Sequence, residues 1–427
     1  MKMKTNINRR RFLEQTSTVG AAFLAIPPLA RAAESAQRKV RVGVVGLGRG
    51  LDHVHAYLSL PEVEVAYVCD IDDDRIARAQ KGVADKGFKA PQGVKDFRKI
   101  LEDKDVDALS IATPNHWHAP MTILACAAGK HVYVEKPGSH NAREGELMVL
   151  AARRNRRVVQ MGNQRRSWPG VIECVEKLRS GAIGNLLSAR CWYNAARGSI
   201  GHGKVVPVPP NLDYSLWQGP APERPYLDNL VHYNWHWRWH WGGGELANNG
   251  IHALDLARWG LGVDFPSRVT CNGGRYHFQD DQETPDTTLA TFDFGTKVIH
   301  WDGSSCHPRT HENLAFVTFY GDQGSLSNDG TGYRVFDAKG KETERGSGPG
   351  GEKVHMQNFV DAIRDGKPLA AEIGEGQTST LLCHLGNIAF RSGRTIDFDP
   401  STRKLKGNKD AEKYWAREYR NGWEPRV

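Results

Sequence analysis

Three groups of residues carry chemistry that a plain structural role does not demand. The first is Gly46-Leu47-Gly48-Arg49-Gly50, a glycine-rich turn directly after a compact apolar run, residues 40–45. Glycines there let the backbone turn sharply and approach a pyrophosphate, whose charge a helix N-terminus favours. The fit to GxGxxG is partial: Gly46 and Gly48 match, the third position is Leu51, and Gly50 falls one residue early. Asp70 ends a second apolar run 24 residues after Gly46, where an acid would hold the adenine ribose hydroxyls. Ile71, Asp72, Asp73 and Asp74 follow, a poor setting for a 2′-phosphate, so NAD is favoured over NADP. Capping of the next helix is the competing use of Asp70. The second group is Val134-Glu135-Lys136-Pro137, in which Lys136 taken alone reads equally as a solvated charge after a strand. The third is Asn248 and His252, four residues apart and so on one face of a helix, with Glu245 one turn earlier.

A fourth feature is aromatic. From His232 to Trp241 a tryptophan stands at every second position: Trp235, Trp237, Trp239 and Trp241. An extended segment would put these indoles on one side, with His236, Arg238 and His240 on the other. Indole faces stack on the C–H faces of sugars, and the polar edge would bind hydroxyls or a carboxylate; Trp235, Trp237, Arg238 and Glu245 are therefore the candidate substrate contacts. At least half of these tryptophans are assigned to packing, because few exposed sites tolerate so many. A metal site from His232, His236 and His240 finds no matching carboxylate spacing, and no metal is expected.

The elements that must hold these residues alternate at first. Apolar strands are predicted at 40–45, 63–69, 108–112, 131–134 and 157–160, with helices around 73–84, 94–102, 117–128 and 141–154 between them. That alternation means a doubly wound parallel sheet. Beyond about residue 161 the pattern changes. A helix is expected at 170–180, then a Pro- and Trp-rich region over 203–242. Strands separated by short Gly/Asp turns follow from 267 to 338, as in an antiparallel sheet, and helices return near 353–365 and 375–391. The reading is an α/β chain: a Rossmann domain over 39–160, an α+β domain over 161–400 with a mainly antiparallel sheet, and an aromatic, charged arm over 401–427.

Three motifs in order make the chain resemble a known family. They are Ala112-Thr113-Pro114-Asn115-His116-Trp117-His118, then Glu135-Lys136-Pro137, then the stretch from Gly242 to Asp255 containing Glu245, Asn248 and His252. At these spacings they are similar to the glucose–fructose oxidoreductase, inositol dehydrogenase and rhizopine-catabolism (Gfo/Idh/MocA) family, over nearly all of 39–400. The resemblance implies an open C-terminal sheet often used for oligomerisation, hence a homodimer or homotetramer, and an active site between the domains. It implies that Thr113, Pro114, Asn115 and His118 line the cofactor, with Glu135 and Lys136 near the nicotinamide, and a cis bond before Pro137. Arg49, Gly50 and Gln164 complete the cofactor-binding candidates.

In that setting Lys136 acquires a purpose. Oxidising an alcohol removes a hydride and a proton, and some group must take the proton. A free lysine, with a pKa of about 10.4, is a poor base; burial and a nearby positive nicotinamide ring lower that value toward the useful range. Relatives commonly carry Asp where this chain has Asn248, which bonds a hydroxyl but cannot accept a proton. Acid–base work then falls on Lys136 and His252, with Asn248 positioning. Asp255 would either orient His252 or satisfy local backbone donors.

Composition narrows the class. A 39% hydrophobic share and 25% charged residues are those of an ordinary globular protein. Of the net charge of +8, six bases (Lys2, Lys4, Arg9, Arg10, Arg11, Arg31) and one acid (Glu14) lie in residues 1–32; removing that +5 leaves +3, so nucleic acid is not the expected partner. Asn8-Arg9-Arg10-Arg11-Phe12-Leu13, the apolar run 19–29 and Ala30-Arg31-Ala32 resemble a twin-arginine signal, with a linker at 33–38. A periplasmic or secreted protein exported folded by the twin-arginine machinery is expected, without an integral membrane segment once the signal is removed. Cys69, Cys126, Cys174, Cys191, Cys271, Cys306 and Cys383 form no CxxC pair, which argues against a disulfide scaffold or a structural zinc site.

Three functions stay open at this point. One is an exported NAD(P)-dependent oxidoreductase acting on a sugar, polyol or glycoside with tightly bound, recycled cofactor. A second is a redox-neutral, NAD-dependent glycosidase or lyase that oxidises, eliminates and reduces. A third is a carbohydrate-binding protein that has lost its chemistry.

Overall fold

A computed structural model of the chain describes residues 38–407 and 409–427. The export-signal reading, residues 1–32, lies outside them, as does all but the last residue of the linker. Lys39 to Val427 fold as one compact unit.

The first sheet contains β1 (Val40–Val45), β2 (Val63–Cys69), β3 (Gln92–Val94), β4 (Ala108–Ile111), β5 (His131–Val134) and β6 (Val159–Met161). All pairs are parallel, in the order 3-2-1-4-5-6. This is the dinucleotide-binding order, with its topological switch between β1 and β4. Its strands are apolar runs because both faces are covered: Val42, Val44, Leu109, Ile111, Val132 and Val134 are buried. Strand β3 was not expected; Gln-Gly-Val has no apolar alternation, and the predicted helix over 94–102 shrinks to α3. The intervening helices are α1 (Gly50–Leu58), α2 (Asp73–Ala84), α3 (Arg98–Glu102), α4 (Asn115–Ala127) and α5 (Ala142–Arg154). The side chain of Asp72, not Asp70, caps α2, accepting from Asp74 N at 2.9 Å.

The second sheet has ten strands: β7 (Leu186–Asn194), β8 (Arg268–Gly274), β9 (Thr287–Asp293), β10 (Val298–Ser304), β11 (Val317–Gly321), β12 (Gly324–Asn328), β13 (Gly332–Asp337), β14 (Glu342–Ser347), β15 (Ile396–Asp399) and β16 (Lys404–Leu405). Their order is 14-13-12-11-7-10-9-8-15-16. All pairs are antiparallel except β7 with β10. The central strand, β7, was missed from sequence. Its inward residues Ala189 and Cys191 are small, so its apolar alternation is weak. Helices α6 (Pro169–Arg179), α8 (Ile251–Leu261) and α10 (Ile373–Ser392) cover one face of this sheet; α7 (Tyr214–Gln218), α9 (Lys353–Asp365) and the short α11 (Lys409–Glu412) are the other helices among the described residues. The other face leaves Leu289, His300 and Tyr320 exposed. Among the described residues no helix is long and apolar enough to cross a membrane. All seven cysteines are buried free thiols.

The aromatic run is not extended. Asn234–Trp237 is a 3-10 turn, closed by local bonds from Asn234 Nδ2 to Asn229 O (2.8 Å) and from Trp235 Nε1 to His232 O (3.0 Å). Trp235, Trp237 and Trp241 are buried, and Trp239 is half-buried. The three histidines of the run engage separate partners: His232 faces Asp72, His236 Nδ1 faces Tyr233 O, and His240 Nε2 faces Pro222 O.

Candidate active site

The main cleft, of about 450 Å³, runs along the C-terminal ends of the parallel strands. Its cofactor half is built by the turn after β1. Gly46 has φ +86°, and a Cβ there would stand 2.6 Å from Ala112 O, so no other residue fits without moving the backbone. Leu47 N donates to Asp70 Oδ2 at 2.6 Å, and Asp72 N to Asp70 Oδ1 at 3.2 Å. Asp70 thus fixes the turn while lining the cleft. Burial raises its pKa despite those bonds. Gly48, Arg49, Thr113, Pro114, Asn115 and His118 also line the cleft, and Gly50 opens α1. His118 spends both ring nitrogens on backbone, Nε2 at 2.7 Å from Thr113 O and Nδ1 at 2.6 Å from Pro137 O. It ties the two loops together instead of offering a free nitrogen to a ligand.

Glu135 is the electrostatic anchor. It accepts from Gln164 Nε2 at 3.0 Å and Lys136 N at 3.1 Å, faces His53 Nε2 at 3.1 Å, and pairs with Arg49 Nε at 3.4 Å. Burial alone would raise its pKa, but His53, Arg49 and Lys136 hold it well below the usual carboxylate range. Gln164, expected at the cofactor, is not in the cleft wall; its amide serves Glu135 and the Tyr133 hydroxyl (3.3 Å) from behind. His53 was missed, being 82 residues from Glu135 in sequence.

Lys136 points into the junction of the two halves, and its bond to Pro137 is cis. Its Nζ donates to Asn248 O at 2.9 Å and to Asn248 Oδ1 at 3.2 Å. The local cause is a single π-helical turn, Leu246–Gly250, ahead of α8. Such turns break the regular i→i+4 pairing, leaving a carbonyl free to accept elsewhere. Burial lowers the pKa of Lys136, with Arg49 pushing the same way and Glu135 and Glu245 opposing. Asn248 adds no charge to that balance.

The remaining candidates divide. His252 is half-buried, makes no hydrogen bond among the described residues, and stands outside the cleft wall. Burial, then Lys136 and Arg165, drive its pKa well below the ordinary histidine value. Asp255 neither orients His252 nor binds local backbone. It forms a buried two-pronged pair with Arg166 (2.8–3.0 Å) and accepts from Ser379 Oγ at 2.6 Å. Glu245 lies behind the cleft wall, bonded to Asn249, whose amide also reaches Tyr193 OH at 3.0 Å. Burial raises its pKa. Of the aromatic-run candidates, Trp235 lines the cleft, stacked on His236 with ring centres 3.6 Å apart. Trp237 does not; it carries the Arg197 guanidinium at 3.7 Å in the second-domain core. Arg238 is turned away, bound to Asp281 at 2.9 Å and Asn229 at 3.1 Å, because its buried charge needs a partner. Tyr233 and Trp217 line the cleft without being among the candidate site residues, as does Trp117 of the 112–118 motif; His236, placed on the polar edge of the run, lines it too. Among the described residues no cluster of His, Cys, Asp or Glu could hold a metal ion.

Residues 40–163 match the family description "Oxidoreductase family, NAD-binding Rossmann fold", and residues 190–425 match "Oxidoreductase family, C-terminal alpha/beta domain". The chain belongs to the Gfo/Idh/MocA oxidoreductase family. Among curated relatives it is 24% identical to a "Glycosyl hydrolase family 109 protein" of Parabacteroides distasonis and to an "Alpha-N-acetylgalactosaminidase" of Tannerella forsythia; each match covers 92% of this chain and 97% of the relative. A Saccharopolyspora erythraea protein of the first description is 37% identical, over 30% of this chain and 29% of its own length. Solved structures of the same fold include an aldose-aldose oxidoreductase from Caulobacter crescentus (TM-score 0.66, 19% identity, 84% of this chain and 100% of that one). Another is the WlbA dehydrogenase of Bordetella pertussis in complex with NADH and UDP-GlcNAcA (TM-score 0.65, 20% identity, 85% and 99%). This Gfo/Idh/MocA enzyme binds NAD through its Rossmann domain. The residues present fit that cofactor: a glycine cradle that a Cβ would fill, the N-terminus of α1 behind it, and Asp70 at the end of β2.

Proposed function

We propose that the enzyme oxidises a hydroxyl of a sugar, polyol or glycoside with NAD that stays in the cleft and is recycled there. One observation carries this reading: Lys136 Nζ stands in the wall of the same cleft as the glycine turn, held by both oxygens of Asn248 and adding burial to a group normally too basic. Bound NAD supplies a hydride acceptor. Lys136 takes the hydroxyl proton, and the Asn248 amide orients the hydroxyl without competing for that proton. Trp235 and Tyr233 offer aromatic surface for a sugar face. Glu135 remains charged throughout and keeps Arg49 and the Lys136 backbone in register. Export by the twin-arginine route fits a retained cofactor, because a folded enzyme carries its nucleotide with it. The open face of the ten-stranded sheet is the surface for a homodimer or homotetramer.

A second reading is favoured by the near full-length likeness to proteins named as glycosidases. Transient oxidation of a ring hydroxyl, elimination of the glycosidic substituent, addition of water across the resulting double bond and return of the hydride to the carbonyl would cleave a glycoside with no net redox change. Without the water step the same sequence is a lyase reaction. His252, four residues after Asn248 at the start of α8 and kept neutral by burial, is assigned the acid–base role in that sequence.

Incubating the purified protein with a panel of sugars, polyols and glycosides separates the two. Oxidised product by mass spectrometry supports the first reading. Cleaved glycoside without accumulation of reduced nicotinamide supports the second. Neither product nor spectral change across the panel contradicts both.

A further inference from the structure

Residues 413–427 do not extend into solvent; they cross the outside of the cofactor wall. Trp423 packs edge-on against Trp117, ring centres 5.4 Å apart at 79°, and the Arg98 guanidinium stands 5.5 Å from its ring. Trp117 is in the first turn of α4 and lines the cleft. Its other sides are closed by Phe97 (5.5 Å, 77°), by the Trp217 carbonyl 3.0 Å from its Nε1, and by Gly219, where a Cβ would overlap the ring. Trp423 is therefore the last wall of the socket that fixes Trp117.

Six residues earlier, Arg417 makes a second attachment. Its Nη2 donates to His116 O at 2.9 Å, in the same turn of α4, and its Nε pairs with Glu144 Oε1 at 2.8 Å. Tyr419 OH donates to the same Glu144 oxygen at 2.9 Å. Glu144 is fully buried, and its other oxygen accepts from His140 N at 3.1 Å, four residues beyond Lys136. Among the described residues, two of the three groups that compensate this buried carboxylate thus come from 413–427. Without them a charge would be left underneath the loop that carries Lys136. A third attachment joins the segment to the second domain, through Arg420 N to Pro220 O (3.0 Å) and Arg420 Nη1 to Ser215 Oγ (3.1 Å), beside Trp217 of the cleft.

We infer that residues 413–427 are a strap that retains the dinucleotide, with Trp423 and Arg417 as positioning residues acting on the cofactor through Trp117 and His116. The strap fastens α4, the loop after Lys136 and the 214–220 segment across one cleft, so cofactor release requires that fastening to loosen. The inference rests on NAD binding in this cleft and explains how an enzyme that recycles its cofactor keeps it between turnovers.

NADH is the probe, and stopped-flow fluorescence gives its dissociation rate from the full-length protein, Trp423→Ala, Trp423→Phe, Arg417→Ala and Leu326→Ala. The last is a core cut in β12, remote from the strap. Release about tenfold faster in Trp423→Ala and Arg417→Ala is expected, with Trp423→Phe close to the parent because it restores the edge contact. Leu326→Ala should keep the parental rate even with an equal fall in Tm. Parental release from both strap variants overturns the inference, as does equally fast release from Leu326→Ala. Hydrogen exchange on the unaltered protein needs no variant: a strap that holds NADH is held by it in return. NADH should slow exchange in 413–427 together with 115–118; no protection of 413–427 overturns the strap role. Failure of the unaltered protein to take up NADH would overturn the cofactor reading as well, and is seen before any variant is compared.

Discussion

Replacing Asn248 by aspartate would put a negative charge where the enzyme holds a neutral amide, 3.2 Å from Lys136 Nζ. At that distance, with an effective dielectric constant of about 20, the attraction between unit charges is about 5 kcal/mol. Desolvating the new carboxylate takes part of this back, and an opposite charge at such range raises a lysine pKa by about 1–3 units. That is about 1.4–4 kcal/mol in favour of the charged form. If Lys136 must be neutral to take the hydroxyl proton, activity rises with pH through its pKa. The rising limb of the hydride-transfer rate in Asn248→Asp should therefore move to higher pH by about 1–3 units, with the plateau largely preserved. The assay is single-turnover formation of reduced nicotinamide across roughly pH 6 to 10, on the best substrate of the panel. A limb that stays in place or moves toward acid would refute the assignment of the limb to Lys136. It would equally refute the reading of Asn248 as the residue that keeps this lysine from being over-stabilised as a cation.

Two further outcomes follow from buried groups. Asp255→Ala leaves Arg166 charged and without its carboxylate in a site where it is 6% exposed; the cost should be about 3–5 kcal/mol, read as a fall in Cm by chemical denaturation. A change under about 1 kcal/mol would mean that water or Glu375 replaces the partner. Burial lowers His355 to about 4 and His384 to about 3, both from 6.5. Below pH 6.5 the unfolded chain binds protons that these folded rings refuse, so their contribution is complete above pH 6.5 and is lost as pH falls toward 4. For His355 alone that is on the order of 3 kcal/mol. Tm should decline steadily over that window and less steeply in His355→Gln; a flat Tm from neutrality to pH 4.5 would contradict it.

How much of this was legible depends on what each residue touches. The Rossmann half announced itself because its strands are buried on both faces and so are apolar runs, and because Gly46 and Asp70 obey local geometry. The Gly242–Asp255 motif could be placed, but its π-turn could not, since the bond from Lys136 to the Asn248 carbonyl joins residues 112 positions apart. The same distance problem hid His53 behind Glu135 and Arg166 against Asp255, 89 residues away. Alternation misled in the tryptophan run, where side-chain-to-backbone bonds close a 3-10 turn and Arg238 follows its counter-ion Asp281 inward. The arm was visible as aromatic and charged, yet its target, Trp117, was not, because a ring contact leaves no spacing signature.

The most direct test is Lys136→Ala in protein that still carries NAD, given the substrate identified by the panel. The account predicts that NADH binding and Tm stay near the parent while oxidation or cleavage falls by at least about 10²-fold, the lower range for loss of a positioned general base. Turnover at the parental rate in that variant, with cofactor bound, would contradict the assignment of Lys136 and with it the central claim.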